Sequence, residues 1–218
     1  NIILKDNPEG GSVTGRYGVT EKGDGKSEIV SWNQGFALGD RGFVNFTVDY
    51  SHNALANRPG ILSVEDEVNY WGADPTQVKN FLAKRPDGGN VNGSPDTRAQ
   101  KFLVNSRYDL DGGANIYANA AYINKKIDSY ANYRNPYWRP TDYGLLHPAG
   151  SAYEGYVPTF LGDLKDYNGT IGTKFDTAGW DSDVSLTFGG NEQMYTVTNS
   201  VNRAVEEKFL KGVVLPEH

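Results

Sequence analysis

Seven separate stretches of this chain alternate apolar and polar side chains residue by residue, a pattern that gives one dry and one wet face only to an extended strand. The clearest sets Val44, Phe46, Val48 and Tyr50 against Asn45, Thr47 and Asp49. Phe102, Val104, Tyr108 and Leu110 oppose Asn105, Arg107 and Asp109 in the same way, and Val184, Leu186 and Phe188 oppose Ser185 and Thr187. Tyr167, Ile171 and Phe175, then Val13, Tyr17 and Val19, then Val30, Trp32, Phe36 and Leu38 head three more stretches. The stretch from Asn115 to Asp128 is weaker, because Tyr117 and Ile123 share the face of Asn119. The links between strands also alternate in kind. Tight turns are expected at Gly39-Asp40-Arg41-Gly42, Asp111-Gly112-Gly113-Ala114 and Thr177-Ala178-Gly179-Trp180-Asp181, and long insertions at 51–97 and 129–165.

Composition agrees with an all-β chain. Among 218 residues, Gly 26 and Tyr 14 suit many chain reversals, and 38% hydrophobic content is low for a densely packed α/β enzyme. No apolar run approaches the roughly 18 residues of a membrane-crossing helix, which leaves crossing by strands of about 9 to 11 alternating residues open. A net charge of −6 without a basic stripe argues against nucleic acid as a partner. The absence of cysteine excludes disulfides, thiolate metal sites and cysteine nucleophiles. The opening residues have neither the charged start nor the cleavage pattern of a signal peptide, so the chain is read as mature or as lacking its beginning.

Two folds bury one face of such strands. A soluble sandwich turns its polar face to solvent and enriches it in Lys and Glu, whereas a wide barrel lines a wet lumen with Asn, Ser, Thr and Gly, as here. Tyr50, Tyr108, Tyr167 and Trp180 near strand ends suit an interfacial aromatic girdle, the lesser alternative being ordinary strand-end aromatics of a soluble β domain. Because barrels of single bacterial chains have even strand numbers and lipid tolerates no open edge, seven strands read as part of a larger barrel.

Several words of the sequence resemble TonB-dependent outer-membrane receptors. Asn1-Ile2-Ile3-Leu4-Lys5, followed by Asp6-Asn7-Pro8-Glu9-Gly10-Gly11, is similar to that family's junction between plug and barrel, with Gly10 and Gly11 opening the first strand. Phe36-Ala37-Leu38-Gly39-Asp40-Arg41-Gly42-Phe43-Val44-Asn45 resembles its first periplasmic hairpin. Pro158-Thr159-Phe160 running into Gly162-Asp163-Leu164-Lys165-Asp166-Tyr167, and Gly179-Trp180-Asp181-Ser182-Asp183-Val184-Ser185-Leu186 with Gly189-Gly190-Asn191, extend the likeness over residues 1–203.

The resemblance implies an antiparallel transmembrane β-barrel of roughly 22 strands, of which this chain supplies about seven. Residues 1–8 would end the plug and form the junction, 9–203 would be barrel strands with extracellular loops, and 204–218 match nothing in the family. It further implies a Gram-negative outer membrane, contact with its lipid, and import of a scarce solute such as a siderophore or oligosaccharide. Binding and plug gating would do this without catalysis or cofactor. A TonB-type energy-coupling protein would act through a segment preceding residue 1.

Candidate ligand contacts lie in the second insertion, where Tyr133, Tyr137, Trp138, Tyr143, Tyr153 and Tyr156 are interleaved with Arg134 and Arg139. Aromatic faces stack on sugar or aryl rings and arginine clamps carboxylates or an anionic chelate. The plainer reading is that these side chains pack a long loop into a lid. Glu65-Asp66-Glu67 has no calcium-loop spacing and reads as a solvated loop. Asp74-Pro75 opens an expected short helix to Lys84, and Ala204 to Lys211 reads as an amphipathic helix or loop insertion, with Gly212 as a stop. His52, His147 and His218 stand far apart, and neither a nucleophile elbow nor a phosphate loop occurs. The alternative is a soluble β-sandwich that binds carbohydrate or hydrolyses glycosides with a carboxylate pair.

Overall fold

A computed structural model describes residues 3–138 and 153–210. Its main sheet contains β1 (Gly11–Gly18), β2 (Ser27–Ala37) and β3 (Gly42–Asn53), and β4 (Ala56–Asn57) belongs to a small separate pair. Two helices follow, α1 (Val64–Trp71) and α2 (Pro75–Lys84), then β5 (Gly93–Ser94), which pairs with β4. The remaining elements are β6 (Asp96–Asp109), β7 (Asn115–Tyr130), β8 (Thr159–Thr177), β9 (Trp180–Thr198) and α3 (Arg203–Leu210). The seven long strands are the seven stretches of alternation. The sheet is an open meander in the order β1-β2-β3-β6-β7-β8-β9, with β1 and β9 at its edges.

The chain divides into two compact units. The first takes Asn1–Leu55, Asp96–Ile127 and Gly162–Tyr195, and the second Ala56–Pro95, Asp128–Leu161 and Thr196–His218.

In the first unit the turns follow their glycines. The Leu38 N–H donates to Gly42 O (2.8 Å) and the Leu110 N–H to Ala114 O (2.8 Å), closing two of the expected hairpins. Ala178 and Gly179 both have positive φ (54° and 82°), the pattern of a hairpin turn whose twist matches its strands. Register then sorts side chains by face. Val13 pairs with Trp32, Trp32 with Val48, and Val48 with Phe102, so the apolar positions form continuous rows. Phe36 meets Phe46 edge-on at 6.1 Å, and Phe102 lies 6.4 Å from Tyr122.

This apolar face is exposed. Val30 is 53% accessible, Phe36 51%, Ile171 53% and Leu186 68%. The opposite face is polar and is where the first unit buries its side chains. Asn33 and Asn45 are buried, and the Asn33 amide donates to Phe46 O (2.9 Å), to Thr47 Oγ1 (2.9 Å) and to Asn45 Oδ1. Residues 5–10 lie on this face. The Asn45 amide donates to Asn7 Oδ1 (2.8 Å), the Asn105 amide to Lys5 O (3.0 Å), and the Gly35 N–H to Gly10 O (2.9 Å). Gly35 is required there, because a Cβ would stand 2.0 Å from Asn7 O.

The second unit holds the helices. Ser63 caps α1, its Oγ accepting from the Asp66 N–H (3.3 Å), and Gly72 ends it in the left-handed region with φ 62°. Glu65, Asp66 and Glu67, expected in a solvated loop, occupy the first turn of α1, where carboxylates favour the positive end of the helix dipole. Asp74 and Pro75 open α2 as expected, Asp74 Oδ1 accepting from the Gln77 N–H (2.8 Å). Both long connections are shorter than 51–97 and 129–165: β3 runs to Asn53, β6 begins at Asp96 and β8 at Thr159. The tail forms α3 over Arg203–Leu210; Lys211 and Gly212 lie outside the described residues.

Candidate ligand-binding site

Val78, Phe81 and Leu82 stand on one side of α2, three and four residues apart, and are buried. Tyr137 completes their cluster at 8% exposure, with its ring edge-on to Phe81 at 5.5 Å. Tyr133 packs on the same ring at 5.9 Å. These two tyrosines, expected as ligand contacts, bring the segment after β7 onto the helices, and Tyr133 also lines the cleft beside them.

Polar contacts fix that segment. The Tyr133 N–H donates to Asn90 Oδ1 (2.9 Å) and its hydroxyl to Glu154 O (2.9 Å). Glu154 also receives Arg85 Nη2 (2.5 Å) and Lys84 Nζ (3.2 Å), and these hydrogen bonds hold its carboxyl below the ordinary glutamate range. Burial raises the Tyr133 phenol, against the opposing influence of Arg85. The Tyr137 hydroxyl donates to Glu67 Oε2 (2.8 Å), the oxygen that also accepts from Trp71 Nε1 (3.0 Å). Burial foremost, and then this carboxylate, push the Tyr137 phenol far above the usual tyrosine range.

The other expected contacts divide between scaffold and surface. Arg134 exchanges backbone hydrogen bonds with Tyr156, and its guanidinium lies 4.6 Å from the centre of the Trp138 ring. Tyr156 is buried and Tyr153 half-buried. Gly155, with φ 88°, lets the chain pass Arg134 O, where a Cβ would approach to 2.2 Å. Arg139 and Tyr143 lie outside the described residues.

Beside this packed cluster is a cleft of about 470 Å³. Tyr70, Trp71, Tyr130, Tyr133 and Trp138 supply its aromatic lining, and Asn90, Asn92, Asn132 and Asn135 its amides. Trp71 and Trp138 lie 4.6 Å apart with planes tilted by 34°, and the exposed Tyr70 meets Trp71 edge-on at 4.6 Å. Glu67 brings the one charged side chain lining the cleft among the described residues. Tyr70, Trp71 and Asn92 come from the first insertion and were not among the expected contacts. The signal for Tyr70 and Trp71 was the Ser63-x-x-Asp66 cap, which marks a helix ending in Tyr70-Trp71.

Among the described residues no group of three or more His, Asp or Glu is arranged to hold a metal ion. His52 Nε2 lies 3.0 Å from Asp96 Oδ2 as an isolated pair. The chain matches no known protein family, no curated protein and no solved structure.

Proposed function

We propose that this chain is a run of consecutive staves from a transmembrane antiparallel β-barrel of the Gram-negative outer membrane. In this reading it belongs to a receptor resembling the TonB-dependent family and imports a scarce solute by ligand binding and plug gating. The observation that carries the proposal is the exposed apolar face. On β3 and β6 the outward positions from Gly42 to Tyr50, paired with Tyr108 to Gln100, contain no charge, and the next row is His52 with Arg98. Eight residue steps of about 3.4 Å make about 27 Å along the strand, or about 21 Å at a 40° tilt, close to the ~25 Å apolar band of such barrels. Seven strands spaced by about 4.8 Å make that band about 29 Å wide. Its area exceeds the apolar patches of about 300–600 Å² found on monomeric soluble proteins.

Two features support the finer reading. The edges at β1 and β9 carry backbone groups that lipid would leave unsatisfied, so further strands would close the barrel. Residues 5–10 lie on the polar face, where a junction leading to a plug inside the lumen would run. A soluble sandwich would need a second sheet over the apolar face; the other sheet among the described residues is the two-residue pair β4–β5.

The test is extraction and electrophoresis. The chain, together with the strands that close its barrel, requires detergent and shifts mobility when boiled. A freely soluble monomer with no heat-dependent shift refutes the proposal.

A further inference from the structure

The cleft beside α1 has a lining that selects for ligand chemistry. Its ring faces suit flat apolar patches: Trp71 and Trp138 are in tilted contact at 4.6 Å with Arg134 over the Trp138 ring, and the exposed Tyr70 beside Trp71 offers the surface that a ligand ring can meet. Its polar groups are neutral amides. Asn90 and Asn135 are engaged internally, accepting from the N–H groups of Tyr133 (2.9 Å) and Trp138 (3.1 Å). The Asn92 and Asn132 side chains line the same cleft and make no hydrogen bond among the described residues. Each offers two N–H donors and a carbonyl acceptor.

Charge on the described lining weighs against one class of solute. An anionic ferric chelate needs cations, yet no Lys or Arg lines this cleft among the described residues, and the Glu67 carboxylate would repel it. Of the described arginines near it, Arg85 is paired with Glu154 and Arg134 lies over the Trp138 ring. A pyranose ring meets every requirement: its C–H face stacks on indole, its hydroxyls both donate and accept, and it carries no charge. The volume falls within the range of about 300–1,000 Å³ usual for small-molecule sites.

We propose that this cleft is a saccharide subsite. It binds a ring of a neutral oligosaccharide on the Tyr70 and Trp71 surfaces and reads its hydroxyls through Asn92 and Asn132. The inference rests on the import reading above and names the class of solute for it.

The test uses the full chain folded in detergent and follows tryptophan emission. The probes are neutral α- and β-linked gluco-, manno- and xylo-trisaccharides, with a ferric tris-catecholate as the anionic comparison. The expected result is a saturable emission shift with at least one trisaccharide and none with the chelate. Asn92→Ala and Asn132→Ala keep the backbone contacts of their positions, and each weakens binding by about tenfold, the loss of one hydrogen bond. Saturable binding of the chelate alone, failure of every trisaccharide, or trisaccharide binding unchanged in both variants overturns the subsite. A heat-modifiable barrel that ignores all the sugars overturns the subsite and leaves the import reading standing. A detergent-independent monomer that binds sugar through Asn92 and Asn132 supports the subsite and overturns import.

Discussion

Arginine at position 104 separates a lipid-facing strand from a solvated one. Val104 pairs with Phe46, midway between the row of Gly42 with Tyr108 and the row of Tyr50 with Gln100. Each end of the charge-free span is four residues away, about 14 Å along the strand, too far for an arginine side chain to reach water without cost. Val104→Arg therefore destabilises a membrane-inserted sheet by about 2–4 kcal/mol, whereas Gln100→Arg, beside the charged row, costs about 0–1 kcal/mol. Urea titration of folding into phosphatidylcholine vesicles, read by tryptophan emission and by heat-dependent mobility, measures both. On a solvated strand the two substitutions would each fall within about 0.5 kcal/mol of the parent. Equal costs at positions 100 and 104 would refute the reasoning.

Three further outcomes concern the helical unit. Val78→Ala removes two carbons from a fully buried site and destabilises the packing of α2 by about 2 kcal/mol, read as faster amide exchange in that helix. Tyr137→Phe, which leaves Trp71 on Glu67, loosens the segment after β7 by about 1 kcal/mol on the same measurement. It also removes one tyrosine that resists ionisation in an alkaline absorbance titration, because the folded phenol is raised above its unfolded value and stays protonated while exposed tyrosines ionise. Glu154 has the opposite sign. Its folded carboxyl is depressed, so the stability it adds is present above the unfolded glutamate range and is lost as pH falls through the lower folded value. Amide protection at residues 153–157, corrected for the intrinsic exchange rate at each pH, should fall across that acid window, and Glu154→Gln should abolish the fall.

The strands were legible because alternation, turn glycines and spacing all act over a few residues. Val44 to Tyr50 reads as a strand without knowledge of any other part of the chain. The α2 helix was legible for the same reason, since Asp74 and Pro75 satisfy a helix start locally. The α1 helix was not. Three adjacent carboxylates at Glu65, Asp66 and Glu67 look like solvated loop until Ser63 and Gly72 are recognised as its two caps.

The site was half legible. Aromatic density drew attention to residues 130–156, but density does not separate a ring that fills a core from one that lines a cleft. Tyr137 went inward because Phe81 and Glu67 supply an apolar and a polar partner seventy or fewer residues away, a pairing that only the folded chain creates. Asn92 and Asn132 could not be singled out, because isolated asparagines in polar loops carry no local signature.

The hold of residues 5–10 on the polar face has a mechanical side. Lys5 is gripped by Asn105, Asn7 by Asn45, and Gly10 by the backbone of Gly35, in the order the chain runs. A pull from the N-terminal side would load these attachments one after another. The first two are side-chain amides, which can swing aside and re-engage; the last is a backbone bond at the start of β1. Under such a pull the two side-chain amides would let go before the backbone bond.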